Sequence, residues 1–128
     1  MGNRALIDAL ERVRDSVNSY TVDRVAQFGA AAAIRDEAYF QETCAKVVAT
    51  RERFAAGLKY LGFSLPESKA NFVFAAHPRL SAAELLSALR ERKILVRAFK
   101  GPRLERHARI SIGTDAEMDA VLEALKTI

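Results

Sequence analysis

The chain has 128 residues, half of them hydrophobic, which is enough to bury the core of one modest domain without disulfides or metals. Charged residues make up 28%, only six glycines and three prolines occur, and no Gly/Ser, Pro or Gln tract is present, so disordered, low-complexity and collagen-like classes are excluded. The net charge is +4, and its placement matters more than its size: between Arg90 and Arg109 eight Lys/Arg face two acids, while the rest of the chain is slightly acidic. Such a patch can hold nucleic acid phosphate, a small phosphorylated or carboxylated ligand, or nothing in particular.

Arg4, Asp8 and Glu11 interrupt the N-terminus where a signal peptide needs its apolar run, and no stretch approaches the roughly 18 to 20 apolar residues of a membrane span. A cytoplasmic protein is expected. Cys44 is the single cysteine, which excludes an intrachain disulfide and a cysteine-cluster zinc site.

Leu6, Ile7, Leu10 and Val13 recur at helical spacing after a candidate N-cap, Asn3, and predict a first helix of about three turns. The Ser-, Asn- and Asp-rich run from Arg14 to Thr21 predicts a loop. Val22, Val25, Ala26, Gly29, Ala30 and Ala33 line one face of a second helix, whose small side chains suit close packing against a partner surface. Met1 to Ile34 is accordingly expected to be the least stable or most self-associating part of the isolated chain. After Asp36 and Glu37, acids that suit a helix N-terminus, the positions Phe40, Cys44, Val47, Arg51, Phe54, Leu58 and Leu61 step through a long helix that stops at Gly62. Cys44 lies on that stripe with no activating His or Asp nearby, so it reads as a buried structural thiol.

The second half changes character. Phe63 to Leu65, Asn71 to Ala75, Ile94 to Phe99 and Ala108 to Ile112 are the expected strands. Two helices announce themselves by capping boxes, Ser81-Ala-Ala-Glu84, flanked by the apolar staple of Leu80 and Leu85, and Thr114-Asp-Ala-Glu117. Leu85, Leu86, Leu89, Val121 and Leu122 are expected on the buried side. The helix-first, then β-α-β-β-α order predicts an α/β (α+β two-layer) domain, its N-terminal helices followed by a small, mostly antiparallel sheet packed on helices.

Strict alternation in Ala108-Arg-Ile-Ser-Ile112 puts Ala108, Ile110 and Ile112 against the helices, with Arg109 and Ser111 on the other face. A strand-mounted guanidinium can grip a carboxylate or phosphate with two parallel bonds, or it can simply face water. Arg97 alternates with Val96 and Ala98 in the same way, and two such arginines on neighbouring strands would converge on one anion. Nothing else reads as catalytic or metal-binding: His77 and His107 are expected at the surface and lack paired ligand spacing, and no Gly-rich phosphate loop occurs. Lys69 adjoins a strand start, but Ser64, Pro66, Glu67 and Ser68 suggest an exposed turn, and a Schiff-base lysine needs a desolvated or cationic setting.

Several segments taken together resemble one family. Gly2 to Leu10, Asn18-Ser-Tyr20 with Ala26-Gln27, Leu61-Gly-Phe63, Ser68-Lys-Ala-Asn-Phe72, Ile94-Leu-Val-Arg97 and Arg109-Ile-Ser-Ile-Gly-Thr114 are similar, in order and spacing, to the C-terminal part of histidinol-phosphate aminotransferases, pyridoxal-phosphate enzymes of the aspartate-aminotransferase fold. The resemblance implies that residues 1–35 are a helical linker and 36–128 an aminotransferase small domain. It implies that the residue matching Arg109 grips the substrate α-carboxylate and the one matching Arg97 lies near the substrate phosphate. The parent reaction is then amino transfer between histidinol phosphate and 2-oxoglutarate in histidine biosynthesis, by a cytoplasmic homodimer or other homo-oligomer.

The family's Schiff-base lysine, cofactor phosphate site and pyridine-nitrogen acid all match positions upstream of Met1. No catalytic, cofactor-binding or metal residue is therefore expected in this chain, its partner would be a large pyridoxal-phosphate-binding domain, and the chain alone is expected to be inactive. The alternative is a free-standing anion- or RNA-binding module using the Arg90 to Arg109 patch. RNA is disfavoured because Phe72 and Phe74 share one face and read as core, not as exposed stacking aromatics.

Overall fold

The computed structural model describes residues 2–18 and 20–128, so Ser19, within the expected Arg14 to Thr21 loop and the Asn18-Ser-Tyr20 motif, lies outside the described residues. Two compact units result, residues 1–40 and 41–128.

In the first unit, Asn3 opens helix α1, Arg4–Asn18, by accepting the amide of Ala5 at 2.9 Å on its side chain. The helix runs into the expected Arg14 to Thr21 loop as far as Asn18, while Tyr20 and Thr21 are not helical. Ser16 turns its hydroxyl back onto the Val13 carbonyl at 3.0 Å and Asp15 pairs with Arg14, so the polar side chains that could have broken the helix are satisfied within it. Asp23 caps α2, Arg24–Arg35, by accepting from the Ala26 amide. Apolar side chains of both helices are exposed, among them Leu10, Val13, Val25 and Phe28.

Helix α3, Glu37–Tyr60, ends as a Schellman turn: Gly62 sits at φ 84°, its amide reaches the Lys59 carbonyl, and the Phe63 amide reaches that of Leu58 at 3.0 Å. Only a residue tolerant of the left-handed region fits there, which is why the apolar periodicity stops at a glycine. The same bonding closes α4, Ala82–Glu91, where Lys93 takes the left-handed position at φ 62°.

Three strands form an antiparallel sheet in the order β1 (Phe72–Ala76), β3 (His107–Ser111), β2 (Arg97–Ala98). The architecture is the expected two-layer α/β arrangement, with α5, Asp115–Leu125, completing the helical layer. Both capping boxes are made: Ser81 with Glu84, and Thr114 with Glu117. Phe54 and Leu58 of α3, Leu85 and Leu89 of α4, and Met118, Val121 and Leu125 of α5 bury one core with Val73, Ala75, Ala108 and Ile110 of the sheet. Leu86 is only half-buried, and Leu122 packs partly buried at the margin of that core.

Two expected strands shrink. Phe63 to Leu65 makes only the single bridge of Ser64 to Ala76, and Ile94 to Phe99 pairs only at Arg97 and Ala98. The second lies at the sheet edge between the α4 terminus and the turn that opens at Gly101 (φ 139°), so Ile94 and Val96 pack on the core without laddering. Cys44 is half-buried, not enclosed.

His77 corrects a surface expectation. It is 5% exposed, its ring meets Phe63 edge-on at 5.0 Å, and its Nδ1 accepts the amides of Arg79 and Leu80 at 3.1 and 3.0 Å. The turn after β1 needs an acceptor for those amides, and the ring supplies it while filling space beside Phe63. Burial foremost, and then Arg79, push its pKa below the usual 6.5, because the imidazolium is poorly solvated there. The unfolded chain therefore holds that proton more tightly. The stability from the neutral ring is present in full above about pH 6.5 and is lost as pH falls from there through the folded-state pKa. His77→Asn, which keeps an acceptor that does not titrate, should flatten the fall of the urea midpoint below pH 6.5; an unchanged slope would refute this role.

Candidate substrate-anion site

Register brings the two arginines together. Within the sheet Arg109 stands directly opposite Phe74 on one side and Arg97 on the other, so one row crosses all three strands. Alternation assigns Val73, Ala75, Ala108 and Ile110 to the buried face and leaves Phe72, Phe74, Arg109, Ser111 and Arg97 on the other. Residues directly opposite on an antiparallel pair have Cβ atoms about 5 Å apart, where like charges repel unless an anion or a π face lies between them.

The open face is aromatic. The Arg97 guanidinium lies 5.0 Å from the Phe99 ring, and that of Arg109 lies 5.4 Å from Phe72 and 5.8 Å from Phe99. Phe74 packs edge-on to Phe99 at 6.2 Å and stacks on His107 at 4.7 Å, nearly parallel. Phe72 and Phe74 thus share a face as expected, but it is the face away from the core, and both are half-buried. The physical reason is register: Val73 and Ala75, the alternates, are the residues that meet the helices. The rings engage Arg97, Arg109 and His107 of this chain. His107, also expected at the surface, is half-buried in β3. Arg109 is half-buried and its Nε is enclosed with no hydrogen-bond partner among the described residues, whereas Arg97 is exposed.

The rest of the basic stretch disperses. Arg92 donates to the Ala88 carbonyl at 2.9 Å and to Thr127, tying down the end of α4, and Arg106 donates to the Pro78 carbonyl. Two of its eight bases, Arg97 and Arg109, share the aromatic face. Sequence reading found those two by alternation and missed Phe99, although the spacing of Arg97 and Phe99 by two residues was a visible signal.

Other candidates gather no site. Lys69 is 81% exposed and ion-paired with Glu67, and all six lysines are exposed, so none has the desolvated setting a Schiff-base amine requires. Among the described residues no three His, Cys, Asp or Glu side chains cluster as metal ligands, and no helix is long and apolar enough to cross a membrane.

Residues 1–125 match the family described as aminotransferase class I and II. The chain belongs to that family. It is 55% identical over all 128 residues to histidinol-phosphate aminotransferase 1 of Bordetella parapertussis, and 52% identical over 128 residues to histidinol-phosphate aminotransferase 2 of Dechloromonas aromatica. In each case the chain spans 36% of the relative's length. Among solved aminotransferase structures, a putative aminotransferase from Burkholderia pseudomallei is 37% identical with a TM-score of 0.66, over 75% of this chain and 29% of that one. The histidinol-phosphate aminotransferase of Sinorhizobium meliloti, solved in complex with pyridoxal-5'-phosphate, is 26% identical with a TM-score of 0.70, over 91% of this chain and 34% of that one.

Proposed function

We propose that this chain is the C-terminal part of a histidinol-phosphate aminotransferase, in which Arg109 binds the α-carboxylate of the amino acid or oxo acid and Arg97 the phosphate of histidinol phosphate. Residues 1–35 serve as the helical linker and 36–128 as the small domain. The observation that carries the reading is the cross-strand pairing of Arg97 with Arg109 on the aromatic face of the sheet. Its support from relatives is the run of identity to proteins named histidinol-phosphate aminotransferase over the full chain.

Amino transfer alternates two substrates at one place, one bearing a carboxylate and the other a phosphate. Adjacent guanidiniums suit both, since each offers planar, paired donors that fit either anion. Pyridoxal phosphate supplies the electron sink of such a reaction. The lysines present here do not fit its covalent attachment, so that site belongs to the remaining length that relatives possess. This chain's residues then contribute binding and orientation. A cytoplasmic homo-oligomer acting on a small phosphorylated amino compound completes the proposal.

The test is made in the full-length enzyme carrying this segment. Arg97→Ala should lower kcat/KM for histidinol phosphate at least tenfold more than for an unphosphorylated amino donor, because it removes a charge-assisted contact that only the phosphate uses. Equal losses for the two donors would remove Arg97 from the phosphate.

A further inference from the structure

We infer that Phe99 is a positioning residue that aims Arg109 at the substrate carboxylate and Arg97 at the substrate phosphate, a role that rests on the substrate-arginine reading above. Arg97 and Arg109 both come within cation–π reach of this one ring, at 5.0 and 5.8 Å. Phe74 contacts the same ring edge-on, which fixes its plane. A guanidinium is usually oriented by hydrogen bonds, but the Arg109 Nε is enclosed without a partner among the described residues, so ring contacts with Phe72 and Phe99 take over that task.

The ring also solves an electrostatic problem. Two like charges directly opposite on neighbouring strands repel and would splay apart in the absence of ligand. The negative π face attracts both, holding them together before the anion arrives and lowering the ordering cost of binding. Phe99 lies on the face away from the core and is half-buried, so its replacement is expected to spare the fold.

In the full-length enzyme, Phe99→Leu should raise KM for both histidinol phosphate and 2-oxoglutarate roughly tenfold, the scale of two weakened cation–π contacts, with kcat changed less than about twofold. Phe99→Tyr, which keeps the π face, should restore both KM values to within about twofold of the parent. Phe99→Met repeats the first test with an unbranched apolar side chain should the leucine variant fold poorly. Leucine and methionine variants that match the tyrosine variant would overturn the role of the ring, as would a loss confined to kcat. If Arg97→Ala and Arg109→Lys change neither KM, the substrate-arginine reading itself fails and this inference falls with it. If those two act while Phe99→Leu does not, the positioning role alone is refuted.

Discussion

Arg109→Lys in the full-length enzyme is expected to cost roughly 2 to 4 kcal/mol of transition-state binding toward the carboxylate substrate, about thirty- to several-hundred-fold in kcat/KM. Lysine keeps the charge but loses the planar fork, so two parallel bonds to a carboxylate become one point contact. It also loses the flat cation that lies near Phe72 and Phe99, and with it the contacts that orient the side chain on β3. Arg90→Lys and Arg103→Lys are the controls, since both side chains are exposed. A generic electropositive surface would give small, equal effects in all three variants, fading as salt shortens the Debye length below about 10 Å. That pattern would eliminate the clamp; a large loss at Arg109 alone, persisting in salt, would establish it.

Phe54→Ala is the largest expected loss of stability, about 3 to 5 kcal/mol. Phe54 is fully buried in α3 and packs in the one core that joins α3, α4, α5 and the sheet. Truncation removes apolar contacts and leaves a cavity whose walls belong to separate elements, so little collapse can fill it. A domain of this size has about 5 to 15 kcal/mol in total, so the variant should sit near its unfolding threshold. Urea unfolding of the chain, with Phe28→Ala as a partner at 80% exposure, provides the measurement. A loss below about 1 kcal/mol at Phe54, or one matched at Phe28, would refute the assignment of this core.

Much of the architecture was legible in the residues because the signals are local. Ser81 with Glu84 and Thr114 with Glu117 satisfy amides within one turn, so sequence spacing suffices to place α4 and α5. Gly62 ends α3 for an equally local reason, its positive φ. Alternation likewise put Arg109 on the face opposite Ala108 and Ile110. The failures also have physical causes. Ser16 and Asp15 read as breakers because their competing hydrogen bonds are local, yet those same bonds close inside α1. In the sequence His77 has the surroundings of a surface residue, whereas the amides that need its acceptor and the Phe63 ring that covers it meet it only once the chain folds back.

The sequence by itself determined the helix boundaries near caps, the two-layer order of elements and the pair of strand arginines, since each depends on residues within a few positions of one another. Only the tertiary structure decided which face of β1 meets the helices, how short β2 is, and that Arg97 stands opposite Arg109 with Phe99 beside both. Those facts depend on strand register, which is set by contacts between segments far apart in the chain, and a shift of one residue would send every side chain of the strand to the opposite face.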